Sequence, residues 1–136
     1  MDLQSIFAIS GAGLDYQKKR LDVIAMNIAN ANTTRGADGV VYKPLEVVNQ
    51  GFNALVQDNF NAAIGSVAIV ERANATKLIF DPSHPDADPK GFVEVPNVNS
   101  IDEMTDLMVA TRMYEANVQV VNAAKSMALK ALEIGS

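Results

Sequence analysis

The one stretch whose residue types could do chemistry is Asp81-Pro82-Ser83-His84-Pro85-Asp86-Ala87-Asp88-Pro89, where three carboxylates surround the only histidine of the chain. Such a set could be proposed as a metal site. Its spacing argues for something simpler, because three prolines among alternating aspartates describe an exposed, turn-rich loop without the regular order of a calcium loop. A catalytic triad fares no better: one histidine with no nucleophile elbow and no Gly-rich phosphate loop offers no reaction class. Catalytic residues, metal ligands, cofactors and a small-molecule substrate are therefore not expected. A metal-dependent enzyme built on Asp81 to Asp88 would lose activity on His84→Ala, which gives that alternative a clean test.

Composition narrows the classes further. The net charge of −5 argues against a nucleic-acid partner, which needs a basic face to release counterions. Lys18-Lys19-Arg20 is the single basic cluster and reads as a solvated helix face. With no cysteine, disulfide frameworks, thiolate zinc sites and cysteine nucleophiles all drop out. No apolar run reaches the length needed to span a bilayer. Asp2 is the only charge before Asp15, so the basic region of a secretory signal is missing. At 136 residues the chain is one domain, or one domain with an appended arm.

The elements that would carry any function are therefore the helices. From Ser100 to Ile134 nothing breaks a helix, and Gly135 sits where a stop belongs. Ser100 with Glu103 three residues on predicts a capping box at its start. The rise per residue gives a rod of about 50 Å. Leu107, Ala110, Tyr114, Val118, Val121, Leu129 and Leu132 form one apolar stripe, interrupted only by Lys125. Val109, Met113, Ala116, Val120, Ala124, Met127 and Ala131 form a second, more than a quarter turn away. Both stripes recur at 11 residues, a period that suits straight or slightly right-handed bundles. The rest of the chain has too few helical residues to cover both. Fully burying Val109, Met113, Val120 and Met127 would give roughly 6 to 12 kcal/mol, against an association cost of about 4 to 15 kcal/mol.

Residues 2 to 31 read as a second helix, with Leu3, Ile6, Phe7, Leu14, Leu21, Ile24 and Ile28 on one face and glycines at 11 and 13 interrupting it. Asn27, Asn30 and Asn32, followed by Thr33, Thr34, Gly36 and Asp38-Gly39, mark an exit into turns. Short strands are expected over 40–48, broken by Pro44, and over 67–71, 77–80 and 92–95, with a loop over 50–63 between the first two. The expected fold is thus mainly α with a small β insert. Its divisions are residues 1–34, an N-terminal helix; 35–99, a β-rich insert; and 100–136, a C-terminal helix.

Several motifs tie this architecture to a known family. The segment Leu21 to Thr34 is similar to the Asn-Ile-Ala-Asn signature that ends the first helix of bacterial flagellar rod and hook proteins. Gly91-Phe92-Val93 and Val95-Pro96-Asn97-Val98-Asn99 resemble the Gly-Tyr-Val and Pro-Asn-Val segments before the last helix. Met104, Arg112, Tyr114, Ala116-Asn117, Val118, Asn122, Lys125-Ser126-Met127 and Leu129-Lys130 match the C-terminal signature of the proximal-rod type in place and order. Tyr42-Lys43-Pro44 stands where the family has Tyr-Arg-Arg. The sequence thus resembles the flagellar axial proteins, and among them the short proximal-rod type.

That resemblance implies a structural subunit. Its terminal helices would pair as an α-helical hairpin or coiled coil and stack helically in the rod core, with the insert outside. The residues it marks for assembly are Leu14, Leu21, Ile24, Asn27, Ile28, Asn30, Asn32, Thr33, Pro96, Asn97, Met104, Val109, Met113, Tyr114, Asn117, Val118, Val120, Val121, Met127 and Leu129. Implied partners are copies of the chain, other proximal and distal rod proteins, and the flagellar type III export apparatus; the implied location is the periplasmic rod of the basal body, reached without a cleaved signal peptide. Phe52 to Val56 and Phe60 to Ile64 both fit the family's Phe-x-x-x-hydrophobic export pattern. A soluble helical adaptor or export chaperone of the flagellar system would share the amphipathic helices and the acidic charge. It would differ in forming a small closed oligomer and binding unrelated clients.

Overall fold

The computed structural model describes residues 3–50 and 66–135. The two Phe-x-x-x-hydrophobic segments, and all but the first residue of the loop expected over 50–63, lie outside the described residues. In chain order the elements are α1 (Leu3–Ala29), β1 (Leu45–Asn49), β2 (Val67–Glu71), β3 (Thr76–Phe80), β4 (Phe92–Pro96) and α2 (Ser100–Ile134). The protein is mainly α with a small β insert. Helix α1 is two residues shorter than expected at its C-terminal end: the Asn30 amide makes the last helical bond, to Met26 O at 3.0 Å, after which the Ala31 amide turns to Ile28 O at 3.3 Å and the Thr33 amide to Asn30 O at 3.0 Å.

The strands form two separate two-stranded sheets, β1 with β2 and β3 with β4. Strand β1 starts later than the sequence pattern suggests, since pairing begins only after Pro44. That residue has no amide to give to a ladder, but its carbonyl accepts the Arg72 amide at 2.8 Å. Strands β3 and β4 are antiparallel, with Thr76 opposite Pro96 and Phe80 opposite Phe92. On one face of this hairpin Phe80 and Phe92 meet edge to face with ring centroids 5.3 Å apart. On the other face Val93 is buried. Gly91 closes the hairpin with φ +85°, and a Cβ there would lie 3.0 Å from both Phe80 and Pro82. Both the backbone angle and the crowding require glycine.

The helix cap differs from the expected Ser100–Glu103 box. Asn99 is the capping residue: its Oδ1 accepts the amides of Ile101 at 3.0 Å and Asp102 at 3.4 Å. Asn is among the strongest N-caps, so Ser100 becomes the first helical residue. Glu103 is thereby released for a different partner.

The chain divides into two compact units. One comprises Met1–Leu21, Val47–Ala68 and Met108–Ser136, and the other comprises Asp22–Glu46 and Ile69–Leu107. Among the described residues of the first unit, Ser10, Ala110 and Ala124 are the buried positions. In the second, Val23, Ile24, Val93, Pro44 and Pro96 pack around two buried polar residues, Asn27 and Glu103. No helix among the described residues is long and apolar enough to cross a membrane.

Candidate assembly site

The two helix roots in the second unit are held by a buried polar clamp. Asn27, at the end of α1, is fully buried. Its Nδ2 donates to Leu45 O at 2.9 Å, while its Oδ1 accepts the Leu45 amide and the Tyr42 hydroxyl, each at 2.9 Å. One side-chain amide thus satisfies both backbone groups of a single residue at the start of β1, which requires a donor and an acceptor on one planar group. Aspartate lacks the donor and leucine lacks both.

Beside it sits a buried ion pair. Glu103, only 2% exposed, takes Arg72 Nη1 at 2.7 Å. Its second oxygen, Oε2, is buried without a hydrogen-bond partner. The Arg72 amide is anchored to Pro44 O, so the end of β2 is tied both to the exit segment and to α2. Burial pushes the Tyr42 phenol above its ordinary range; the nearby Glu103 carboxylate pushes the same way and Arg72 opposes it. Desolvating the Glu103 carboxylate is costly, and the partly exposed Arg72 offsets it, so the pair is a device for geometry more than for stability.

The remaining asparagines of the exit work locally. Asn30 Nδ2 donates to Met26 O at 2.9 Å, and its Oδ1 accepts Thr33 Oγ1 at 3.3 Å. Thr33 O in turn accepts the Tyr42 amide at 3.3 Å. Asn32 is exposed. At the other end of the insert Pro96 is buried, and Asn97 is bonded through its amide to Ala75 O and through Nδ2 to Asn74 O.

The Asp81 to Asp88 loop spends its polar groups on its own turns and on the exit of α1. Asp81 accepts from the Ser83 hydroxyl at 2.6 Å and the Ser83 amide at 3.1 Å, which hold its carboxyl below the usual range. His84 Nδ1 accepts the Asp86 amide, and Asp88 accepts the amides of Lys90 and Phe92. Asp86 binds Thr34 Oγ1 at 2.7 Å and Arg35 at 2.9 Å, pinning the loop to the exit of α1. A shallow polar cleft runs alongside, lined by Val40, Val41, Lys43 and Glu94 together with this Arg35–Asp86 pair.

Along α2, within the first unit, the covered positions are Ala110, Tyr114, Asn117, Val121, Ala124 and Ala128, with Val118 at their flank. Their strict alternation of three and four is a seven-residue repeat, so the 11-residue stripe expected from the sequence is not the one covered. The seam passes to Ala124, which the sequence pattern groups with the second stripe, and leaves Leu129 (53%) and Leu132 (71%) exposed. Small residues at the seam, where a neighbour comes close, explain the shift. Val109, Met113, Val120 and Met127 are 42% to 61% exposed on the other face. In the second unit, Leu107 is half-buried and Met104 is exposed. On α1 Leu14, Leu21 and Ile28 are half-buried and Ile24 is buried, whereas Leu3 and Phe7 of the same expected face are exposed.

The clamp also contains residues that the sequence did not single out as functional, namely Arg72, Glu103 and Tyr42. Glu103 reads in the sequence as half of a capping box and Tyr42 stands in the Tyr-Lys-Pro segment set against the family's Tyr-Arg-Arg, whereas Arg72 carries no signal.

Comparison with known proteins decides what this arrangement belongs to. A family model described as flagella basal body rod protein matches residues 8–37, and one described as flagellar basal body rod FlgEFG protein C-terminal matches residues 90–134. The chain is 43% identical to the flagellar basal-body rod protein FlgC of Escherichia coli O6:H1 and 42% identical to that of Salmonella typhimurium, in each case over 99% of both chains. It is 38% identical to FlgC of Bacillus subtilis over 93% of this chain and 94% of the relative. The chain belongs to the FlgC family of flagellar basal-body rod proteins. It is therefore a structural rod subunit of the basal body and not an enzyme, which favours the rod reading over a soluble adaptor or export chaperone. The two segments matched by the rod-protein models carry Asn27 and Asn30 on one side and Gly91, Pro96 and Glu103 on the other, so the clamp joins the two matched ends.

Proposed function

We propose that the chain is a subunit of the proximal rod, assembling helically through paired terminal helices and carrying motor torque toward the hook and filament. In this reading residues 1–34 and 100–136 form the rod core as an α-helical hairpin, and residues 35–99 form the outer layer. The observation that carries it is the Val109, Met113, Val120 and Met127 stripe, half-exposed along α2 while the seam beside it is covered. A helix with an apolar stripe left uncovered is built to be covered by another chain. Met104 and Leu129 add exposed apolar surface on the same helix, the clamp of Asn27, Tyr42, Arg72 and Glu103 holds the helix roots, and Asn30, Thr33, Pro96 and Asn97 fix the turns beside them.

The partners are copies of this chain and the other proximal and distal rod proteins, the site is the periplasmic rod, and delivery runs through the flagellar type III export apparatus without signal cleavage. Support for these finer statements comes from the family relationship. Motility assays with electron microscopy of basal bodies, in the flagellated host carrying only a form of the chain lacking residues 100–136, test the reading. Loss of the rod beyond the inner-membrane ring is the expected result. Intact rotating flagella would remove it.

A further inference from the structure

By apolar area alone, α2 is turned the wrong way. Its covered seam in the first unit is made of Ala110, Tyr114, Asn117, Val121, Ala124 and Ala128, while the larger Val and Met side chains of the second stripe face outward. Something other than total apolar burial must choose the face.

The choice is visible at Gly13. A Cβ built on this residue of α1 would lie 3.1 Å from Asn117 Nδ2 and 3.6 Å from Asn117 Cγ, so the Asn117 side chain packs against the glycine closely enough that a methyl group would push it aside by a few tenths of an ångström and a larger side chain would displace it. Gly13 lies on the half-buried side of α1 between Ser10, which is buried, and Gln17, whose Oε1 is buried. On α2, Ala110 and Ala124 flank Asn117 by seven residues on either side and are fully covered, at 0% and 1% exposure. A notch opposite a run of alanines permits close approach of two backbones, which valine and methionine side chains in the same place would prevent.

We propose that the Gly13–Asn117 contact selects which face of α2 turns inward, and so presents the Val120 stripe outward. A single polar residue in a helix seam sets geometry in this way at some loss of stability. The two residues act here by position within the chain. Only the consequence for assembly rests on the rod reading; the face choice itself belongs to the free chain.

Because the chain has no cysteine, thiol labelling of single Cys variants of the purified protein reads the orientation directly. Val120→Cys should react at least roughly tenfold faster than Ala124→Cys, since accessible thiols are the reactive ones. Adding Gly13→Leu should bring that ratio to about one or below, because the side chain needs the space Asn117 holds. Adding Asn117→Ala to Gly13→Leu should then restore the original preference, an outcome that simple misfolding would not give. An unchanged ratio in Gly13→Leu, no restoration in the double variant, or equal reactivity at the outset would each overturn the proposal. None of these results depends on whether the chain incorporates into a rod.

Discussion

Replacing Val120 by aspartate should abolish rod incorporation while leaving the free subunit nearly unchanged. Val109, Met113, Val120 and Met127 are 42% to 61% exposed, so about half of each remains for a neighbour to cover. The gross gain from covering all four is then about 3 to 6 kcal/mol, half of the value for full burial. Association costs about 4 to 15 kcal/mol, so a single contact is at or below balance and assembly needs several neighbours engaging together. Val120→Asp removes about 1 kcal/mol of that gain. It also asks the interface to desolvate a carboxylate, which costs several kcal/mol even after relaxation. The contact should weaken by at least about a hundredfold, at 1.4 kcal/mol per decade. In the free chain the site is half open and Asp and Val have similar helix propensities, so stability should fall by only about 1 kcal/mol, the value of the half already covered. The assay combines immunoblotting for abundance, thermal denaturation of the purified chain, and electron microscopy of basal bodies. Normal rods containing the variant at normal abundance would refute the reasoning.

The clamp makes three further predictions. Asn27→Ala removes three part-buried hydrogen bonds, to the Leu45 amide and carbonyl and the Tyr42 hydroxyl, and at about 0.5 to 1.5 kcal/mol for each the loss should be about 1.5 to 4.5 kcal/mol in urea unfolding. Arg72→Ala leaves Glu103 buried and unpaired, so it should cost about 3 to 5 kcal/mol, and replacing both partners by leucine should recover most of that in the same assay. The Tyr42 phenol is raised in the folded chain, so its contribution is complete below the ordinary tyrosine value near 10 and is lost as pH rises through the folded value. Denaturation midpoints measured from pH 8 upward should fall above about pH 10, and Tyr42→Phe should flatten that fall.

The long elements were legible because their signals are long. Uninterrupted periodicity from Ser100 to Ile134 and the asparagine-rich exit after α1 mark both helices to within two residues, and the strand expected over 67–71 coincides with β2. What escaped the sequence was set by contacts distant along the chain. Glu103 reads locally as the second half of a capping box, yet its partner is Arg72, thirty-one residues earlier, and no local pattern announces that pair. Gly13 reads as a defect in a helix and is instead the place where Asn117 fits. The seam of α2 misled for the same reason: periodicity ranks stripes by hydrophobicity, whereas close approach favours alanine, so Ala124 went inside and Leu129 and Leu132 stayed out. Asn27 was recognisable by type and place, but why the position needs an amide became evident only from its three bonds.

The central claim is that the Val120 face of α2 is the surface that meets other rod subunits. A photoreactive amino acid incorporated at position 120 and activated in flagellated cells tests it directly. Cross-links are expected from position 120 to a second copy of the chain or to another rod protein, recovered with purified basal bodies. Cross-links confined to the same chain, or to soluble proteins outside the basal body, would contradict it.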